Sequence, residues 1–439
     1  MTWIYEMDFD FENLGGKYAY VEVVPNNYNF HPKLQTTVAV FIKDSFILEG
    51  AIIPVDHPEG NNVSKEKVIE ILSKYEAILV PNKKEFLYHF QIKNLWDANL
   101  LSLLENGERL APPVEPKVFN HYYNKYSSRG DVNKLIPITK LYERCNSNST
   151  YFGRSFELKE TEDAKFYNQE AVPVFYLLEQ AGLQIHYQKF IDLFKPSNID
   201  YSTRDNVTYT SYNLYNVTSR PTNAFNSVNF SAIPKKDEYR KVFTPQNDYF
   251  VEFDFDGYHL RLLCDIIDYQ LGPESAHLQM GRIYFNKEEL TDEEYLEAKQ
   301  LNFQAIYGNI PYRFEDLEVF RKIKNYIDKL WKQFEKKGYV EAPISKRRFV
   351  KDQLEDMNPQ KLMNYVIQNV ETSRNVLILK ELLRYLKDKE TKISLYTYDS
   401  ILLDFSKQDG KETLQDIERI LNEDNKFPVR FKFSDTMVL

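Results

Sequence analysis

Cysteine is almost absent from the chain. Cys145 and Cys264 are the only two in 439 residues, which excludes a disulfide framework and a four-thiolate zinc site. No stretch of about 18 or more apolar residues occurs, so no transmembrane helix and no membrane partner are expected. The first eight residues, Met1-Thr2-Trp3-Ile4-Tyr5-Glu6-Met7-Asp8, are acidic and carry no basic start. No signal peptide is expected from such a start, and a reducing, cytoplasmic setting follows. Glycine is scarce too, at 14 residues or roughly half the usual share. Basic charge is in deficit: 56 Lys and Arg against 65 Asp and Glu leave a net charge of −9. Taken alone, that balance argues against a nucleic-acid partner.

What is present is an ordinary globular composition, 43% hydrophobic and 28% charged. Most of the chain is too hydrophobic to be disordered. Tyrosine (32) and phenylalanine (30) are plentiful. The length suggests two or three domains of about 100–200 residues. Charge is also uneven. From Arg321 to Lys351, eleven basic residues stand against three acidic ones, with Trp331, Phe334 and Tyr339 interleaved. Such a stretch suits a surface that tracks nucleic acid; the alternative is a solvated helix face.

Periodicity predicts strands over 17–24, 36–42, 45–55 and 77–80, a helix over 64–74, and short helices over 83–92 and 96–105. This is an α/β pattern, taken as a first domain over 1–110. Pro112, Pro113 and Pro116 end it. Residues 111–165 show no clear period and read as a connector. A second domain over 166–439 carries helices at 166–181, 185–194, 257–269, 291–307, 314–337, 359–388 and 411–423. Its strands lie at 250–255, 393–398, 400–405 and 428–433, with a strand-and-turn region over 200–234.

Three runs carry chemistry. Asp254 and Asp256 end an apolar strand, Phe253-Asp254-Phe255-Asp256, where a carboxylate is costly unless paired or bound to a cation. Asp399 sits where two β-rich runs meet at Tyr398-Asp399. Each acid alone reads first as a capping or turn aspartate. Two strand-end carboxylates brought together in one sheet can instead hold two divalent metals for phosphoryl transfer. The third run places Lys299, Phe303 and Tyr307 at i, i+4 and i+8 on one helical face. That face suits a triphosphate and a stacked base; the alternative is an amphipathic helix with two core aromatics.

In this order the runs resemble motifs A, B and C of the family A DNA polymerases. Motif A reads roughly D-Y-S-Q-I-E-L-R, against Asp254-Phe255-Asp256-Gly257-Tyr258-His259-Leu260-Arg261. Motif B reads K-x-x-N-F-G-x-x-Y-G, against Lys299 through Gly308 with Gln304 for the first glycine. Motif C reads V-H-D-E-L-V-F-E, against Thr397 through Asp404. Thr210-Ser211-Tyr212 with Thr218-Ser219-Arg220, Asn229 to Pro234, Gly338 to Glu341 with Arg347-Arg348, and Asn364 with Gln368 are similar to four further segments, also in order.

The resemblance covers about 166–439 and implies a right-hand polymerase domain of α+β class. Its palm would span about 166–264 and 346–439, and its fingers about 265–345. It implies Asp254 and Asp399 as catalytic metal ligands with the Phe255 carbonyl as a third. The metals would be two Mg2+ ions, for which Mn2+ can substitute. Lys299, Phe303, Tyr307 and His259 would meet the incoming dNTP. Arg220, Asn229, Arg240, Asn364 and Gln368 would meet primer-template DNA. The first domain occupies the family's place for an RNase H-like 3′–5′ exonuclease.

The chain departs from the family in several places. His259 replaces the usual Glu of the steric gate, which puts sugar discrimination in question. Tyr295 replaces a triphosphate-binding Arg one turn before Lys299, and Ser400 the acid after motif C. Asp256 is an extra acid, read as solvated or helix-capping. Only 25 residues, 185–209, fill the place of the long helical thumb. A much reduced thumb implies weak processivity or a replisome partner that supplies the grip. The exonuclease acids are depleted: Tyr20-Val21-Glu22 lacks the first Asp, Phe86 replaces another, and Asp97 remains. The expectation is a phage-type DNA polymerase without proofreading. The alternatives are a catalytically inactive nucleic-acid-binding derivative and, third, a single-subunit RNA polymerase or primase relative.

Overall fold

Runs of Val, Ile and Tyr early in the chain suit a sheet buried on both faces, where β-branched and aromatic side chains pack well. The computed structural model describes residues 17–44, 50–110, 117–126, 130–153, 160–223, 228–234, 236–306, 310, 312–423 and 426–437. Strands β1 (Tyr18–Pro25), β2 (Thr37–Asp44) and β3 (Ala51–Pro54) pair antiparallel. Helix α1 (Lys65–Leu72) then leads to β4 (Ala77–Val80), and the short α2 (Lys83–Phe86) to β5 (Leu95–Asp97). Both later strands run parallel to β1, giving the order β3-β2-β1-β4-β5. Ser64 caps α1, its side chain accepting from the Lys67 amide. The helix predicted over 96–105 is displaced: β5 takes its first residues, and Asp97 caps α3 (Ala98–Asn106) by accepting from the Leu100 amide at 2.9 Å. The helix predicted over 83–92 stops after one turn.

The connector is not irregular. It contains α4 (Lys117–Tyr126) and α5 (Ile138–Phe152). The buried stripe of α5 includes Arg144, Asn148 and Ser149 beside Ile138, Leu141, Cys145 and Phe152. Polar residues on the inward face hide the helical period from a hydrophobicity reading.

Helices α6 (Glu162–Phe166) and α7 (Val172–Leu178) follow, joined by a π-turn at Tyr167–Ala171. The segment expected to be short of a thumb holds β6 (Leu183–Ile185), the eight-residue α8 (Tyr187–Phe194), and β7 (Thr203–Arg204) paired with β8 (Val207–Thr208). Next come β9 (Tyr212–Asn213), β10 (Thr222–Asn223), α9 (Asp237–Arg240) and β11 (Phe243–Thr244).

Then β12 (Tyr249–Phe255) enters α10 (Tyr258–Ile266). Helices α11 (Ala276–Phe285), α12 (Asp292–Ile306) and α13 (Glu318–Lys337) precede the hairpin β13 (Tyr339–Glu341) and β14 (Arg348–Val350). Helix α11 was not anticipated. The long α14 (Pro359–Tyr385) leads to β15 (Lys392–Thr397), β16 (Ser400–Phe405), α15 (Lys411–Asn422) and β17 (Val429–Ser434). The last sheet is antiparallel in the order β15-β16-β12-β17.

One apolar core runs from Ala19 and Val21 in the first sheet to Phe253, Leu403 and Val429 in the last. Buried polar contacts stitch the two regions together. Lys84 bonds Glu179 and the Tyr212 carbonyl, and Lys83 Nζ donates to the Asn168 carbonyl at 2.7 Å.

Candidate active site

The β15–β16 hairpin turns at Tyr398-Asp399, with Tyr398 at φ 61°. From α14, Asn375 Nδ2 donates to the Tyr398 carbonyl at 2.7 Å and to the Tyr396 hydroxyl at 2.9 Å, holding the turn. The Phe255 amide donates to the Asp399 carbonyl at 3.0 Å, while Asp254 is the register partner of both Ser400 and Arg430. The sheet thus brings together two acids that are 145 positions apart in sequence (399 against 254). Each had an alternative reading as a lone turn or cap residue; both line one cavity of about 330 Å³.

The carboxylates are poorly compensated. Asp254 is solvent-exposed at the cavity, yet desolvation by the surrounding walls, then Asp399, Glu252 and Asp256, push its carboxyl up to about 6. Asp399 is exposed as well, and desolvation in the cavity and then Glu371 raise its carboxyl. Neither side chain forms an ion pair among the described residues. No group of three or more His, Cys, Asp or Glu side chains converges as a metal cage among those residues. Two under-neutralised carboxylates and a carbonyl nonetheless fit Mg2+, which takes hard oxygen ligands and retains water or phosphate as others.

Helix α12 faces this pair across the cavity. Lys299 and Phe303 both line it, and Phe303 is 46% exposed. The alternative reading of Phe303 as a core aromatic is therefore overturned. Tyr307 lies outside the described residues. Tyr295 also lines the cavity, its hydroxyl 3.4 Å from Ser275 Oγ.

His259 lines the cavity and its Nε2 lies 2.9 Å from Glu371 Oε1. Glu371, on α14, is buried and also receives Arg220: Nε at 2.8 Å on one oxygen and Nη2 at 3.3 Å on the other. The Arg220 guanidinium stacks 3.7 Å over the Tyr398 ring. Arg220 thus enters the site through Glu371 and Tyr398. Asn229, Arg240, Asn364 and Gln368 do not line this cavity. Asn364 and Gln368 do share a face of α14, bonded to each other at 2.9 Å.

Asp256 corrects an expectation. It is neither solvated nor the cap of α10, whose N-cap is Gly257 without a side-chain bond. Its side chain is 8% exposed and Oδ1 accepts from the Ala276 amide at 2.7 Å, at the start of α11. Arg430 contacts Oδ2 at 2.9 Å and Arg261 lies 3.7 Å from Oδ1. The acid is consumed in joining the strand end to α11. Gly257 makes this approach feasible: its φ is 58°, and a Cβ there would lie 2.7 Å from that of Ala276.

Sequence reasoning missed Glu371, His277 and Arg430. Glu371 follows Gln368 by three on α14, so its face was readable. His277 comes from the unanticipated α11; burial lowers its imidazole below the usual range, and its Nδ1 lies 3.0 Å from Asn302 Nδ2. Arg430 lies in a strand where Arg430 and Lys432 alternate with Phe431 and Phe433, and period two is its signal.

The first sheet holds a second cavity, of about 400 Å³, lined by Glu22, Lys84, Arg109 and Arg144 among others. Its acid is fully engaged. Glu22 receives Arg144 Nη1 at 2.5 Å, the Tyr20 hydroxyl at 2.9 Å and Asn148 Nδ2 at 3.0 Å. Asp97, buried on β5 and outside this cavity's lining, accepts from the Lys83 amide at 2.8 Å and the Tyr215 hydroxyl at 2.7 Å.

The fold is similar to that of the POL domain of Pol1 from M. smegmatis, solved in complex with DNA primer-template and dNTP. The TM-score is 0.66 at 13% identity, over 97% of this chain and 96% of that one. No family model and no curated protein matches the chain. At that identity the likeness concerns the fold, a mixed α/β arrangement of several sheets and helices.

Proposed function

We propose that the chain is a template-directed DNA polymerase that adds dNMP to a primer 3′-hydroxyl. The observation that carries this reading is the pair Asp254 and Asp399, short of positive charge, facing Lys299 and Phe303 across one cavity. A fold shared with a domain solved on primer-template and dNTP supports it. In the reaction the primer 3′-oxygen bonds to the nucleotide α-phosphorus, and the bond to the leaving pyrophosphate breaks. When bound at Asp254, Asp399 and the Phe255 carbonyl, two Mg2+ ions would stabilise the charge that develops on the attacking and leaving oxygens.

The chain's own residues do the rest. Lys299 attracts the triphosphate, and the exposed ring of Phe303 packs on the nucleotide. His259 occupies space under the sugar, oriented by Glu371, which Arg220 holds in turn. Asn229, Arg240, Asn364 and Gln368 line the path of primer-template. The domain division at about 110 and 166, the palm and the fingers belong to the same proposal.

The strand order β3-β2-β1-β4-β5, with only β2 antiparallel to its neighbours, supports an RNase H-like reading of the first sheet. The engagement of Glu22 and Asp97 supports its being inactive as an exonuclease. The single eight-residue helix over the thumb's place supports low processivity, or a partner that grips the duplex.

Primer extension with Mg2+ tests this, first with dNTPs and then with rNTPs. Template-dependent extension by wild type and none by Asp399→Asn is expected. A wild type that binds primer-template yet adds nothing sinks the reading and favours an inactive nucleic-acid-binding derivative.

A further inference from the structure

A triphosphate in the cavity would carry more negative charge than one lysine meets. The cavity contains Asp254, Asp256, Glu371 and Asp399 against Arg220, Lys299 and Arg430. Arg220 is committed, spread over both oxygens of Glu371 and stacked on Tyr398. Helix α12 has Tyr295, not a guanidinium, one turn before Lys299. Lys299 is a point charge and cannot grip phosphate oxygens in pairs, as an arginine fork does.

Arg430 is placed differently. It sits on β17 as the register partner of Asp254, at the edge of the sheet. Its side chain is 65% exposed, and its ion pair is to one oxygen of Asp256 at 2.9 Å. Asp256 keeps the Ala276 amide at 2.7 Å and the nearby Arg261 if Arg430 leaves. Departure of Arg430 therefore strands no buried acid, and an exposed guanidinium gives up little to turn toward a stronger anion.

We propose that Arg430 supplies the guanidinium that binds the triphosphate of the incoming nucleotide, and that Asp256 parks it beside Asp254 until the nucleotide arrives. The proposal rests on the polymerase reading above. It assigns a residue outside the three motifs, on the last strand, to nucleotide affinity.

The test uses the full chain, with dNTP KM from primer extension and duplex Kd from fluorescence anisotropy of labelled primer-template. Arg430→Gln should raise the dNTP KM by about tenfold or more, the scale of losing charge-assisted hydrogen bonds. Its duplex Kd should stay near that of wild type. Arg430→Lys should fall between the two, because it keeps the charge and loses the fork. Unchanged thermal melting of both variants shows that they fold. A wild type that extends, with Arg430→Gln at the same dNTP KM, overturns the proposal and leaves the polymerase reading standing. A weakened duplex Kd with unchanged dNTP KM assigns Arg430 to a backbone phosphate of the primer and also overturns it. A wild type that does not extend sinks the polymerase reading itself.

Discussion

Two sheets of this chain carry acids, and they treat them in opposite ways. In the first sheet, Glu22 receives a guanidinium, a hydroxyl and an amide; burial raises the Asp97 carboxyl too, but backbone and side-chain donors oppose that rise. In the last sheet, Asp254 has no hydrogen bond or ion pair among the described residues, and its carboxyl is pushed up to about 6. A buried charge that is fully paired is a structural element, since removing a partner strands the other. An acid kept short of positive charge in a cleft costs stability, and chains retain it where a cation or substrate completes it. The same residue type is bonded into the fold in one place and left without a partner among the described residues, in a cavity, in the other.

The sharpest way to break this comparison is activity. Asp399→Asn should lower extension by on the order of a thousandfold, since each tenfold is about 1.4 kcal/mol and metal charge stabilisation is worth several kcal/mol. Asp97→Asn should keep extension. If both variants behave alike in a primer-extension gel, the distinction between the sheets is wrong.

The next effect is on stability. Arg144→Ala removes the cation on Glu22 and the stacking on Tyr28, at 4.4 Å. A loss of about 3 kcal/mol is expected on denaturant unfolding. A loss near zero would mean that Glu22 is not held as a structural acid.

Gly257→Ala probes the backbone that carries the second pair. The left-handed φ and the close approach to Ala276 predict a loss of about 2 kcal/mol. Extension should fall with it, because α11 meets the strand end there.

The smallest effect has the opposite sign. Asp254 holds its proton to about pH 6 when folded, against 3.8 for the ordinary group. The folded state binds more protons in that window, so stability falls as pH rises through it and the cost is complete above it. At neutral pH without divalent cations, Asp254→Asn should unfold later than wild type by about 1 kcal/mol, after allowance for solvent screening. The gain should vanish below pH 3.8. Added Mg2+ should raise the melting temperature of wild type and not that of the variant.

Much of the candidate site was legible because its signals are local. Asp254 and Asp399 end apolar strand runs, and Lys299 and Phe303 share a helix face by spacing alone. The strand order of the first sheet was not legible, nor was β5, though its other four strands and their α/β alternation were. The helices of 117–126 and 138–152 escaped notice because α5 turns Arg144 and Asn148 inward. Those two residues look like surface until Glu22, 122 positions from Arg144, is seen opposite.

Asp256 was misjudged for a related reason. Its partners Ala276 and Arg430 lie on elements far along the chain. Glu371 and His277 reach the site the same way, on α14 and α11.

The sequence by itself determined which side chains share a strand end or a helix face, because period two and period 3.6 are properties of the local backbone. It also determined which residue types are available for chemistry. Only the tertiary structure decided which acids are neutralised. That depends on which cation arrives across the sheet, and an electrostatic environment is set by distance in space and by burial, not by position in the chain.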